Sequence, residues 1–151
     1  MTEILFYFNA PDRLAYACRV LRKALRVGAQ EGAKPMAGVA VTGPASTLAR
    51  FDRTLWTFEA LEFIPHVLVS ADAVPDARRR RAAVWLVERA EQAAHLPMLL
   101  HLGQEPAEGF ESFERLVEVV STDAAERDAA RARWKHYKSR GFEIRQHEAA
   151  A

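Results

Sequence analysis

Apolar residues fall along this chain in two rhythms. Short β-branched and aromatic runs bounded by turn residues predict strands, and apolar positions recurring every three or four residues predict helices. Ile4 to Phe8 is such a run, closed by Asn9, Pro11 and Asp12, and reads as a buried strand followed by a turn. From Leu14 to about Ala29, Leu14, Ala17, Cys18, Leu21 and Leu25 share one helical face, with lysine and arginine on the other. Gly28 or Gly32 can end that helix. Ala37 to Val41 reads as a second strand. Gly43, Pro44 and Ser46 mark the start of a second helix running through Leu48, Phe51, Leu55 and Trp56. This order predicts βαβ units and a largely parallel or mixed sheet flanked by helices.

His66 to Val69, Ala82 to Val87, Pro97 to Leu100 and Leu116 to Val120 predict four more strands, with a polar loop from Gly103 to Gly109. A last helix starts near Thr122 or Asp123, where Glu126 stands three positions beyond an N-cap residue, and stops at Gly141. Phe142 to Arg145 predicts a final strand. The end, about residues 146–151, is expected to fray. No repeat, heptad pattern or long linker divides residues 1–151, so one α/β domain is expected.

Composition narrows the classes. Of 151 residues, 50% are hydrophobic and 27% charged, with a formal net charge of +1. That balance suits a globular domain and gives no bulk electrostatic pull toward nucleic acid or a membrane. Cys18 is the single cysteine, which excludes an internal disulfide and a Cys-rich metal site. The first residues lack the pattern of a signal peptide, and no apolar run approaches the roughly 20 residues of a spanning helix. A cytoplasmic protein with no membrane association is expected.

Catalytic signatures are missing. Neither a GxxxxGK[ST] loop nor a GxGxxG fingerprint follows the first strand, and Pro11 removes one backbone donor that a phosphate would use. His66, His95, His101, His136 and His147 show no metal-ligand spacing and read as packing or turn residues. Cys18, on an apolar helical face, reads as a small core residue. No cofactor, metal or catalytic site is expected. Arg78 to Arg81 form a basic run whose simplest reading is a solvated loop. The last helix carries more. Arg127 to Arg145 holds seven basic and two acidic residues, a formal +5. Arg127, Arg131 and Lys138 fall on one narrow stripe with Trp134, Lys135 lies on its flank, and Ala130 and Tyr137 border it. Guanidiniums beside an indole suit a ligand that is both anionic and aromatic. On these residues alone, that reading weighs equally with core aromatics beneath a solvated basic face.

Two segments carry a resemblance to a known family. Phe51, Asp52, Leu55 and Trp56, followed by Phe63, Pro65 and His66, are similar to the L-D-x-x-L-W helix end and F-x-P-H of the chi subunits of bacterial DNA polymerase III. Ala129 to Phe142 resembles the family's ending, A-R-x-R-[YW]-K-x-Y-[KR]-x-x-G-[FY]. The resemblance is collinear over almost the whole chain and weakest over about residues 70 to 110. It implies a Rossmann-like α/β domain without a functional nucleotide site, acting as a non-catalytic subunit of the clamp-loader assembly. It also implies a pocket for the acidic, Phe-ending C-terminal tail of single-stranded DNA-binding protein. Arg131 would grip carboxylate, Trp134 would form a wall, and Val120 would line the floor, while Arg127, Lys135 and Lys138 would add attraction. A second surface around Trp56, Phe63, Ile64 and Pro65 would meet the psi subunit, and DNA would be reached only indirectly. Two other readings stay open: direct nucleic-acid binding by Arg78–Arg81 and the basic helix, and a small Rossmann-like enzyme.

Overall fold

The apolar runs become strands of one sheet, and the amphipathic stretches become helices laid across it. The computed structural model describes residues 2–26, 38–57, 66–69 and 82–149. In chain order the strands are β1 (Glu3–Ala10), β2 (Val39–Thr42), β3 (His66–Leu68), β4 (Val84–Val87), β5 (Met98–His101), β6 (Arg115–Ser121) and β7 (Ile144–Glu148). The helices are α1 (Arg13–Arg26), α2 (Ala45–Thr57) and α3 (Ala124–Ser139), with short 3-10 turns at Ala90–Ala93 and Phe110–Ser112. The seven strands lie in the order β3-β4-β2-β5-β6-β1-β7, and every neighbouring pair is parallel. Each predicted strand has a counterpart and the sheet is wholly parallel, but the last runs over Ile144–Glu148 rather than Phe142–Arg145, so residues 146–148, expected to fray, are held by pairing with β1. Gly28, Gly32 and Arg78–Arg81 lie outside the described residues.

Parallel strands need both faces covered, and the burial pattern follows. All four residues of β2, β4 and β5 are buried. Along β1, Leu5 faces one core with Val39 and Val41 of β2, while Ile4 and Phe6 face the other with Ala40. Ala17, Cys18 and Leu21 of α1 and Leu48, Phe51 and Leu55 of α2 cover the first face. Ala130 and Tyr137 of α3, with Ala90, Ala93 and Phe110, cover the second. The apolar stripe of α2 stops at Leu55. Trp56 is 60% exposed, because one step of about 100° carries it off the buried face.

The N-terminus of α3 departs from a full capping box. Asp123 accepts from the Glu126 N–H at 3.1 Å, but the returning bond is absent. Ser121 Oγ accepts the Asp123 N–H at 3.2 Å instead, and Glu126 turns to Arg13, 3.5 Å from its Nε. At the other end Gly141 takes φ +90°, the left-handed conformation that stops a helix at little cost to glycine.

α3 is locked to the sheet by polar groups. Glu118, on β6, has no exposed surface. Arg133 Nε donates to its Oε1 at 3.0 Å and Tyr137 Oη to its Oε2 at 2.7 Å. Tyr137 Oη accepts the Ala107 N–H at 3.0 Å, and Arg133 Nη1 donates to the Gln104 carbonyl at 3.0 Å. Burial, reinforced by the Glu118 charge, raises the Tyr137 hydroxyl well above its usual pKa, so it stays a donor. Arg133, one of the seven basic residues counted between Arg127 and Arg145, is 3% exposed and spent on Glu118.

Two measurements test this core. Arg133→Met leaves Glu118 buried without its cation and is expected to cost about 3–5 kcal/mol in urea unfolding at pH 7, partly recovered by adding Glu118→Met. Cys18 is wholly buried, and burial, with Asp12 adding to it, pushes its thiol from 9.0 up to about 12. A raised folded-state pKa stabilises fully below the unfolded value, so stability should fall as pH rises from about 9 toward 12. Cys18→Ala should flatten that decline, and a thiol reagent at pH 8 should label Cys18 only after unfolding.

Candidate functional site

In parallel sheets, ligands collect beyond the carboxyl ends of strands where crossovers diverge. Here β1 leads into α1 on one face and β6 into α3 on the other, so that point lies between β1 and β6. Arg13 fills it. Its Nε donates to the Val119 carbonyl at 2.8 Å and its Nη1 to the Leu102 carbonyl at 3.2 Å. Burial lowers its pKa, against the Glu126 carboxylate that raises it. Asp12 accepts the Ala15 N–H at the start of α1, and Asp123 caps α3. With Glu126, three carboxylates line this crevice of about 500 Å³, whose cations are Arg13 and Arg50. Both helix N-termini that could hold a phosphate are satisfied by the chain's own acids.

A second concavity, of about 370 Å³, lies where α3 overhangs the sheet at β1 and β7. Phe6 and Phe8 of β1, Val120 of β6 and Ala130 of α3 contribute apolar surface, and Trp134 stands half-buried as a wall. Arg127 and Arg131 line the same side, one helical turn apart. Asn9, near the end of β1, and Gln146, midway along β7, complete the lining. Arg131 is 3.8 Å from Asp128, both largely exposed, a contact that a competing carboxylate displaces cheaply. Arg127 has no ion-pair partner among the described residues. Lys138 Nζ lies 4.6 Å from the centre of the Trp134 ring. The Trp134 indole N–H is buried and makes no hydrogen bond among the described residues.

Of the residues singled out from the sequence, Val120, Arg127, Arg131 and Trp134 meet in this pocket. Lys138 joins it through Trp134, and Lys135 is exposed but does not line it. Tyr137 belongs to the core. Arg140 pairs with Glu111, and Arg145 with Glu3 at 3.3 Å, so neither adds to the pocket's field. The sequence reading missed Phe6, Phe8, Asn9 and Gln146. Strand alternation places Phe6 and Phe8 on one face, but it does not reveal that α3 covers that face.

A third surface lies at the other edge of the sheet. Trp56 is 60% and Leu68 42% exposed, and the Trp56 ring meets the His66 ring edge-on at 5.0 Å. His66 Nε2 is 3.0 Å from Asp52 Oδ1. Phe63, Ile64 and Pro65 lie outside the described residues. Among those described, no cluster of His, Cys, Asp or Glu could hold a metal ion. His101 is occupied structurally, 3.0 Å from Thr42 Oγ1 and 2.6 Å from the Glu105 carbonyl.

Comparison with known proteins gives three findings. The family model described as DNA polymerase III chi subunit, HolC, matches residues 1–145. The DNA polymerase III subunit chi of Pseudomonas aeruginosa is 29% identical over 151 residues, covering 97% of this chain and 96% of that protein. The C-terminal domain of the DEAD-box protein Dbp5 matches with a TM-score of 0.58 over 98% of this chain and 90% of that one. At 11% identity, that last likeness concerns the fold alone.

The crevice plug has its own test. Arg13→Ala leaves the Val119 and Leu102 carbonyls without their donor and should cost about 1–3 kcal/mol in chemical unfolding. Arg13→Lys, which lacks the guanidinium fork, should restore only part of it.

Proposed function

Because this chain belongs to the DNA polymerase III chi subunit family, we propose that its accessory role in DNA replication is to hold the acidic, Phe-ending C-terminal tail of single-stranded DNA-binding protein. The observation that carries this reading is the pocket itself, two arginines and an indole wall over an apolar floor. A terminal phenylalanine offers a ring for the floor of Phe6, Phe8 and Val120, and a carboxylate for Arg131. Trp134 packs against the ring, while Arg127, Lys135 and Lys138 attract the acids that precede it. In this role the protein works in the cytoplasm as an adaptor with no catalytic site of its own, and reaches DNA only through its partner. No described helix is long and apolar enough to cross a membrane.

Bridging needs a second surface, and the exposed Trp56 and Leu68 supply a candidate. They lie by β3, whereas the pocket lies by β7, at opposite edges of the sheet. One partner can therefore occupy each edge. Trp56, with the chain segment containing Phe63, Ile64 and Pro65, is the proposed contact for a psi subunit that ties the protein to the clamp loader.

Fluorescence anisotropy with a labelled acidic peptide ending in Phe tests the pocket. Saturable binding is expected, weakened roughly 10- to 100-fold by Arg131→Ala, the scale of a hydrogen bond to a charged group. Deleting the terminal Phe should abolish it, added salt should weaken it, and Trp56→Ala should leave it unchanged. A protein that ignores the peptide and binds a single-stranded oligonucleotide tightly, with a steep salt slope, would sink this reading in favour of direct nucleic-acid binding.

A further inference from the structure

Every polar side chain on the α3 side of the pocket is a donor only. Arginine has no acceptor, and the Trp134 indole offers just its N–H. A peptide bound there also brings main-chain N–H groups, and these need acceptors once they leave water. Among the pocket's side chains, only the amides of Asn9 and Gln146 can accept.

Asn9 is unusual in its backbone as well. It is the one non-glycine residue with positive φ among those described, at 61°, and it falls where the β1–β6 register shifts between Tyr7 and Ala10. Asparagine tolerates that region better than most residues, and backbone strain of this kind gathers at ligand sites. Asn9 Nδ2 lies 3.4 Å from Glu148 Oε1. An ionised carboxylate only accepts, so this contact keeps the amide nitrogen toward Glu148 and leaves Oδ1 to the pocket. Gln146 stands two residues before Glu148 on β7, paired with Phe6. No side-chain hydrogen bond occupies Asn9 Oδ1 or the Gln146 amide among the described residues.

We infer that Asn9 and Gln146 make the pocket specific for the end of a peptide chain, Asn9 accepting the N–H of the terminal residue while Arg131 holds its carboxylate. Gln146, which both donates and accepts, takes the next main-chain group along. This deepens the tail-binding reading above and rests on it. Under this assignment the α3 side selects a carboxylate beside an aromatic ring, and the strand side requires that both belong to a peptide.

The test compares the Phe-ending peptide with its ester analogue, in which oxygen replaces the terminal residue's N–H. Wild-type protein should prefer the amide by roughly three- to tenfold, the scale of one hydrogen bond. Asn9→Gly keeps the positive φ without strain; it removes the Oδ1 acceptor and the exposed contact to Glu148, and since only the acceptor meets the ligand N–H, the amide preference should shrink toward unity. Gln146→Leu, on an exposed edge strand, should weaken both ligands alike and keep their ratio. Loss of packing alone would not move the amide-to-ester ratio, and thermal unfolding of each variant checks the fold. An unchanged ratio in Asn9→Gly, or equal binding of amide and ester by wild type, overturns the assignment and leaves the pocket reading standing. Failure of wild type to bind either ligand overturns both.

Discussion

Glu118 is a carboxylate on an inner strand with no exposed surface, and such a charge is costly unless it is paired inside the fold. Its partners, Arg133 and Tyr137, are one turn apart on α3, so satisfying Glu118 sets both the position and the rotation of that helix. Once those two side chains point inward with Ala130, helical geometry turns the stripe of Arg127, Arg131 and Trp134 roughly a quarter turn away, over the rim of the sheet. The same network reaches the loop after β5 through the Gln104 carbonyl and the Ala107 N–H. The pocket's shape is thus inherited from a buried ion pair that never touches it.

The rest of the sheet explains why the site lies at an edge. At the carboxyl ends of β1 and β6, where folds of this class place nucleotides, Arg13 is bound to two carbonyls, and the helix starts are capped by Asp12 and Asp123. The crevice holds its own acids and its own base. What remains for recognition is the margin, where α3 overhangs β1 and β7 and where α2 runs out beside β3. In the proposed adaptor role, a surface at each edge of the sheet would let the domain join two partners, which suits an accessory subunit of a polymerase assembly.

Division of labour within the pocket follows from donor chemistry. In the proposed tail complex, lysines outside the cavity would attract over distance and be screened by salt, whereas Arg131 and the indole would act at contact. The strand side contributes acceptors that cations cannot provide. Such a pocket discriminates by requiring several different groups at once, more than by the strength of any single contact.

The order of strands and helices was readable from apolar rhythm, because parallel strands buried on both faces are continuous apolar runs and α1 and α2 are clearly amphipathic. The α3 stripe of Arg127, Arg131 and Trp134 was readable too, since helical spacing alone places those residues together. The burial of Arg133 was not readable, because spacing cannot reveal a carboxylate fifteen residues earlier on the strand beneath it. The contributions of Phe6, Phe8, Asn9 and Gln146 were invisible for the same reason. Pairing β1 with β7 joins positions almost the whole chain apart, and local pattern holds no record of which strands become neighbours. Local propensity and periodicity determined the elements and one side of the pocket; only the tertiary structure, by satisfying a buried charge and pairing distant strands, decided what stands opposite.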